Sequence, residues 1–560
     1  MAQSDTQNRS KRLFIISGLL MALLSLILSG CNWGSSSSVT PSAVTSVFPP
    51  QSSDGALVTT LVTATFRDDM NASTINDTAF TLSLGGAPVA VSSVAYDSTS
   101  RTVTLTPASD LLAGSEYRAT ISSMVENSSG ATPLAADYVW SFTVSPGVLL
   151  ASKNDSGIVG NNRSDISDID GTGRYVVFES TATNLVANIS TNGLNQVYRK
   201  DTVTGEVNLV SSDSSNLQAA NNASFSPAIS DNGRFVVFHS AATNLSSITT
   251  SGILQVYIKD LTDGSIELVS RDINATAGNA TATNAVVSND GRYVAFQSGA
   301  TNLSTLNNNG AVQIYLKDMA DESVDMVSRE TTLTGGANGL SANADISNDG
   351  RFVVFESNAT NLVFPQTTNI NRIYLVDMNV PDIIEPVSVD ANGADAQGSS
   401  FNPAVSDNGR YVVFESNAAN LDPAFDNNNA TDVFLRDRST PSTTLVSINP
   451  VTGESADNTS SNAVISGDGV YVAFQSRAGN IVVDDNPGVV DIYVRNLLSP
   501  TIMINQVNIS DTGINPTVDS GRTKISSDGR YVSFDSVHKY TADDTDGLFD
   551  VYRAYNSTHQ

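Results

Sequence analysis

The residues of this chain with the best credentials for chemistry are acids. Asp543-Asp544-Thr545-Asp546-Gly547, followed by Asp550, sets carboxylates at alternate positions ahead of a glycine. A hard cation such as Ca2+ requires such spacing, because several oxygen ligands must surround it and the chain must turn tightly to bring them round. Asp484-Asp485-Asn486 with Asp491, and Asp426-Asn427 with Asp432, are weaker versions of the same stretch. The candidate metal ligands are therefore Asp544, Asp546 and Asp550, with Asp484, Asp485 and Asp491 as a second group. No Glu stands at the twelfth loop position, and earlier stretches of the same kind carry Ser, Thr and Asn, so a solvated acidic turn is the alternative. Nothing else in the sequence calls for a cofactor.

A second set of acids, Glu179, Glu356, Glu415 and Asp535, follows apolar runs, with His239, Gln297 and Gln475 at the corresponding places elsewhere. Clustered carboxylates suit cation binding or general acid/base work, and solvated strand ends are the plainer explanation. His239 has no companion Ser or Cys with a third orienting residue, so no catalytic triad is supported and no catalytic residue is assigned.

These residues sit in a chain of 560 with 29 Lys plus Arg against 57 Asp plus Glu, a net charge of −28. Such a field repels phosphate backbones, so nucleic acid is excluded as a partner. One Cys and three His rule out a disulfide framework and a Cys-rich zinc site. Apolar residues make up 40%, enough for a substantial core, and the charged share of 15% is low, with Asn, Ser and Thr in its place. That bias suits turn-rich β structure.

The amino terminus reads as an export signal. Arg9, Lys11 and Arg12 precede an apolar run from Leu13 to Leu28, which ends in Leu28-Ser29-Gly30 directly before Cys31. The run resembles a bacterial lipoprotein signal, and that resemblance implies cleavage before Cys31 and lipidation of its thiol. The expectation is a signal peptide over 1–30 and a flexible linker over 31–42 that carries the acyl chains into a membrane. Asn32 in place of Asp implies the outer membrane in a Gram-negative cell. Loss of 1–30 leaves 26 basic against 56 acidic residues, an extracytoplasmic chain of charge −30.

Two all-β domains are expected to follow. Over 43–145, short alternating runs such as Thr102-Val103-Thr104-Leu105-Thr106 are separated by turn clusters, the pattern of a β-sandwich. Phe48-Pro49-Pro50 with Asp54-Gly55, Phe66-Arg67-Asp68-Asp69-Met70, Tyr117 and Trp140-Ser141-Phe142 give this stretch its resemblance to the bacterial Ig-like domains of surface-layer proteins. Over 146–560 one unit repeats. Gly173, Gly233, Gly291, Gly350, Gly409, Gly469 and Gly529 recur every 58 to 60 residues, each followed by Arg, or once Val, and an aromatic-led apolar strand such as Tyr411-Val412-Val413-Phe414. A strand apolar on both faces must be covered on both. Four such strands per repeat predict the blades of a seven-bladed β-propeller, with Val148 to Ser152 supplying the strand that the last repeat lacks. The Ser-Asp-Asn-Gly-Arg turn and the Lys-Asp strand ends at Lys200-Asp201 and Lys259-Asp260 resemble the TolB family and WD40-type repeats.

The recurrent Asp201, Asp260, Asp318, Asp377 and Asp437, and the Asn184 to Asn480 series, are expected to serve architecture through local side-chain to backbone bonds. Without an acid, base and nucleophile in any one repeat, the functional expectation is a lipid-anchored envelope protein that binds or scaffolds a protein or glycan partner and is not an enzyme. A glycan lyase or hydrolase using funnel carboxylates, or a purely structural envelope protein, are the alternatives.

Overall fold

The computed structural model describes residues 43–559 apart from 54–55, 57, 113, 145–146, 331, 333, 364–368, 484, 500 and 511–513. Cys31, the signal and linker segments, and Asp484 lie outside the described residues. Among those described the chain is all-β, with nine four-stranded sheets and one short 3-10 turn at Ala72–Thr74.

Two of the sheets belong to the amino-terminal segment. One orders its strands Val44–Phe48, Val62–Phe66, Thr102–Pro107, Val91–Asp97; the other runs Ala87–Pro88, Phe80–Leu84, Glu116–Ile121, Tyr138–Thr143. Alternation puts Val62, Ala64 and Phe66 inside with polar residues between them. Trp140 meets Phe80 at 5.8 Å and Phe142 stacks on Tyr117 at 6.0 Å, all buried. The Tyr117 hydroxyl accepts the Leu112 N–H at 2.8 Å, which keeps its polar end satisfied.

The other seven sheets follow in sequence. Sheets 1 to 6 occupy 164–209, 224–268, 282–326, 341–386, 400–445 and 460–506, and sheet 7 occupies 520–555 together with Val148–Leu150. Each is antiparallel, with an inner, second, third and outer strand in chain order, as in Ser164–Ile169, Tyr175–Ser180, Gln196–Asp201 and Val207–Leu209. The inner strands pack in cyclic order, the seventh against the first. In sheet 7 the outer place is taken from the far end of the segment: Leu150 pairs with Tyr552 and Val148 with Ala554. The closing strand anticipated over Val148 to Ser152 is thus present, with its ladder confined to Val148–Leu150.

Burial explains why the repeats look alike. Val176, Val177 and Phe178 are wholly buried because the second strand is sandwiched between neighbouring sheets, and each such side chain contributes about 1.5–3 kcal/mol. Phe178 stacks on Tyr198 at 5.8 Å, a pair repeated as Phe534 on Tyr552 at 5.5 Å. The turn glycines are required twice over. Their φ lies between +67° and +76°, and a Cβ on Gly233 would come within 2.3 Å of the Tyr175 ring in the preceding sheet, just as one on Gly173 would meet Tyr531 of sheet 7.

The arginine after each glycine has a specific partner. Arg174, Arg234, Arg292, Arg351 and Arg410 bond Asp201, Asp260, Asp318, Asp377 and Asp437 at 2.6–2.7 Å. The aspartates also take the local backbone N–H groups expected of them, as Asp260 does from Thr262 at 2.9 Å. Where the arginine is lost the aspartate is lost with it: sheet 6 has Val470 and Asn496, whose side-chain Oδ1 accepts Leu498 N–H at 3.0 Å. In sheet 7, Tyr555 fills the aspartate position opposite Tyr531. Arg530 turns instead to Asp110 of the amino-terminal sheets at 3.4 Å. Tyr531 OH accepts Val58 N–H at 3.0 Å, and Arg174 lies 5.1 Å from the Phe48 ring centroid. The two-sheet segment thus docks against the turn ends of sheets 7 and 1, and in sheet 7 the break in the repeat frees Arg530 and Tyr531 for it.

Candidate functional site

The two ends of the inner strands are built differently. At the turn end, backbone bonds join neighbouring sheets: Gly171 N–H to the Asp231 carbonyl, Asn289 to Asn348, Asp407 to Gly467, Gly467 to Ser527 and Asp528 back to Gly171, all at 2.9–3.0 Å. Side chains also cross between non-adjacent sheets. Asn348 donates to Asp231, and Ser527 Oγ donates to Asp407 at 3.2 Å. Burial, then the neighbouring Asp231 charge, pushes the Asp407 carboxyl up to about 6. Gly467 is obligatory, since a Cβ there would lie 1.9 Å from Ser527 Oγ. This end is closed.

The opposite end is a mouth made by a β-bulge in each inner strand, marked by a register shift such as that between Phe401 and Ala404. The bulge residue has positive φ in six sheets: Ile166, Ser226, Asn284, Asn343, Asn402 and Asn462. Asparagine tolerates that conformation, whereas a β-branched Ile166 is strained by it. The bulge turns a backbone N–H toward the preceding sheet, where the residue ending its second strand receives it. Ser226 N–H bonds Glu179 at 2.7 Å, Asn402 bonds Glu356 at 2.8 Å, Asn462 bonds Glu415 at 2.6 Å, and Asn343 bonds Gln297 Oε1 at 3.1 Å. The solvated-strand-end explanation of Glu179, Glu356 and Glu415 is thereby overturned. They are 5–7% exposed and tie sheet to sheet. Burial raises each of these carboxyls, and the bond from the bulge N–H opposes it.

Asparagine side chains continue the lining as a ladder. Asn284 Nδ2 donates to Asn343 Oδ1 at 3.1 Å, Asn343 Nδ2 to Asn402 Oδ1 at 3.1 Å, and Asn402 Nδ2 to Glu415 at 3.0 Å. The ladder stops at sheets 7, 1 and 2, whose bulge positions hold Arg522, Ile166 and Ser226. Asp535 stands one residue before the end of the second strand of sheet 7, Tyr531–Ser536; it is 5% exposed, and its Oδ1 has no hydrogen-bond partner. Gly521 makes room for it, since a Cβ there would sit 2.6 Å from that oxygen. Burial, then repulsion from Asp165, pushes the Asp535 carboxyl up to about 7, with Arg522 opposing. His239 lies tilted against Phe225, ring centroids 5.8 Å apart, and burial pulls its imidazole down to about 4, so it is neutral at neutral pH.

The acidic loop adjoins the start of the third strand of sheet 7. Carboxylate oxygens of Asp544, Asp546 and Asp550 lie within 4.8 Å of one another. Asp543 is drawn away by Lys153 at 2.8 Å. In sheet 6, Asp485 accepts from the Tyr493 hydroxyl at 2.5 Å and Asp491 accepts from Gln506 and Asn508 at 2.8 Å. Of the five ligand candidates among the described residues, the structure gathers three, Asp544, Asp546 and Asp550. The Asn184 to Asn480 series is architectural as expected but not local: Asn184 receives Asn161 N–H and donates to the Val159 carbonyl, both at 2.8 Å. Sequence reasoning passed over the bulge asparagines, Arg522 and Asp165. The visible signal for the asparagines and Arg522 is a polar residue standing third in six of the seven inner strands, out of step with alternation; Asp165, second in its strand, has no such signal.

Comparison with known proteins assigns one segment. Residues 38–144 match the family of bacterial Ig-like domains. No curated protein matches the chain. Among solved structures, a putative TolB from Agrobacterium tumefaciens is 16% identical, with 51% of this chain and 80% of that one covered at a TM-score of 0.33. The β-propeller domain of the Trilobed protease from Pyrococcus furiosus is 13% identical over 70% and 96%, TM-score 0.39. An acylaminoacyl peptidase from Pyrococcus horikoshii is 12% identical over 66% and 49%, TM-score 0.38.

Proposed function

We propose that this is a lipid-anchored lipoprotein of the bacterial cell envelope, held at Cys31 to the outer membrane, and that its seven sheets are the blades of one propeller serving as a binding platform. The observation that carries this reading is the asymmetric mouth. One side is an amide ladder whose donors and acceptors suit the hydroxyls of a glycan or the backbone of a protein. The other side, at sheets 7 and 1, places Arg522 beside Asp535 and Asp165, where no repeat symmetry requires them. The Ig-like domain docks at the closed end, so the mouth is left free, and the domain acts as a spacer on the anchor side. With a formal charge of −28 the partner is not a nucleic acid.

A second reading has one observation in its favour. A buried carboxyl at about 7 next to a second acid is the equipment of a general acid, and on a glycan that would make the mouth a lyase or hydrolase site.

Both readings are tested on the membrane-isolated full-length protein, using immobilised oligosaccharides from the producing cell's envelope and a detergent extract of the same envelope. Retention should fall at least tenfold in Arg522→Glu and stay unchanged in Arg351→Ala, a turn-end control. Equal retention of the two variants would dispose of the mouth as the binding surface. New reducing ends or unsaturated sugars formed by the wild type and not by Asp535→Asn would establish the enzyme reading instead. In the same cells Cys31→Ser should lose fatty-acid labelling and leave the membrane fraction; undiminished labelling would remove the anchor.

A further inference from the structure

The position that opens the third strand shows what the acidic loop is for. In sheets 1, 2 and 3 it is Gln196, Gln255 and Gln313. Each side chain works as a bifunctional clamp. Its oxygen accepts from Ser211, Ser270 or Ser328, at 2.5–2.6 Å, and its amide nitrogen donates to the Ala220, Gly278 or Ala337 carbonyl at 2.8–3.0 Å. In sheets 5, 6 and 7 the same position is Asp432, Asp491 and Asp550, which keep the acceptor and lose the donor.

Sheets 5 and 6 recover part of the lost donation from neighbouring amides, although Asp426 Oδ1, Asp432 Oδ2 and Asp491 Oδ2 still have no hydrogen-bond partner. Asn428 Nδ2 reaches the Ala456 carbonyl at 2.6 Å, and Asn508 and Gln506 reach Asp491. Sheet 7 does not. The residue two places after its loop acid, Asn428 in sheet 5, is Asp546 here, so an amide donor has again been exchanged for a carboxylate. Asp544 and Asp550 are 4% and 1% exposed. Asp550 Oδ1 accepts from Ser152 at 2.5 Å and Asp544 Oδ2 accepts from Tyr552, while Asp550 Oδ2 and Asp544 Oδ1 have no hydrogen-bond partner. Two buried carboxylate oxygens without donors, within reach of a third acid, lack positive charge in a place where uncompensated burial is costly.

We propose that Asp544, Asp546 and Asp550 bind a divalent cation of the Ca2+ type, and that this cation locks the seam at which the amino-terminal strand completes sheet 7. The seam passes through the site. Ser152 follows the closing strand Val148–Leu150, its Oγ donates to Asp550, and it accepts Val551 N–H at 3.1 Å. The cation fixes Asp550, Asp550 fixes Ser152, and the strand is held in register. Glycine at 547, with φ +88°, lets the loop turn back over the ion. The ion takes the place of the amide donors that the early sheets supply from glutamine.

The test uses full-length protein stripped with chelator and returned to Ca2+, Mg2+ or Tb3+. Tb3+ should luminesce on tyrosine excitation, because Tyr552 contacts Asp544 and Tyr540 lies 5.0 Å from Tyr552, and millimolar Ca2+ should displace it. Ca2+ should slow hydrogen exchange at the Ala151 N–H, which bonds the Val551 carbonyl at 2.7 Å, by at least tenfold. Asp546→Asn alters an exposed side chain, so it should melt like the stripped wild type and show neither effect; Asp550→Asn should also show neither effect, but should melt above the stripped wild type because its amide removes a buried charge. Exchange and melting that ignore Ca2+, or Tb3+ emission undiminished in both variants, would overturn the assignment.

Discussion

Replacing Leu150 by aspartate should abolish the cooperative melt of the seven-sheet segment and leave a protease-sensitive, aggregating product. Leu150 and Val148 are 1% and 2% exposed, in one apolar cluster with Tyr471, Val532, Phe534, Tyr552 and Ala554. A carboxylate there is buried without a partner, and the strand that bears it leaves its place. The third strand of sheet 7, Asp550–Tyr555, then presents unpaired backbone groups and an apolar face to water. Leu150→Ala, which keeps the backbone pairing, should cost about 2–5 kcal/mol. Met124→Asp, at a side chain 79% exposed in the Ig-like domain, is the control and should be silent. A Leu150→Asp protein melting within a degree or two of the wild type would mean that the outer place of sheet 7 contributes nothing to closure. Partners across this seam, such as Ser152 and Asp550, are 398 residues apart. Closure must therefore wait until the whole segment has been made, and sheet 7 is the last to be completed.

The parts of this architecture that the sequence announces are those in which one residue's identity answers to a local constraint. The Tyr-Val-Val-Phe strands declare burial on both faces, and a glycine every 58 to 60 residues declares a positive φ. The closing strand is legible by arithmetic, since the last repeat is one strand short. The site is less legible because its partners lie far apart in sequence. Glu415 looks like any acid at a strand end until its oxygen is found on the N–H of Asn462, 47 residues later. The bulges add a second obstacle. An extra residue breaks the two-residue alternation of a strand, so Asn343 or Arg522 cannot be assigned a face from its neighbours. The arginine after each turn glycine was likewise visible, but its aspartate partner, 26 or 27 residues on, was read as a local cap. Only the paired loss at Val470 and Asn496 ties the two positions together in the sequence itself.

Stability should fall as pH rises from about 4 to about 7, and Asp535→Asn should remove a defined share of that fall. The Asp535 carboxyl stands at about 7 in the folded chain, through burial and then the charge of Asp165, and near 3.9 when unfolded. Between those values the folded state holds a proton that the unfolded state has released, so lowering the pH favours folding and raising it disfavours folding. The penalty is complete above about 7 and absent below about 4. Asp170 and Asp407, both at about 6 because of burial, act in the same direction over a narrower window. Asp260 and Asp318, which arginine bonding lowers, act oppositely and only below the ordinary carboxylate range. Asparagine at 535 fills the same space without ionising. The full linkage of Asp535 is at most about 4 kcal/mol, and relaxation around Gly521 reduces the expected gain for the variant to about 2 kcal/mol at pH 8, vanishing near pH 4. Urea midpoints of the two proteins at intervals across that range measure it. A gap between them that stays constant with pH would mean that Asp535 ionises as freely in the mouth as in water. A gap that opens as predicted would locate, where the asparagine ladder of the mouth is interrupted, a carboxyl able to hold or surrender a proton near neutral pH.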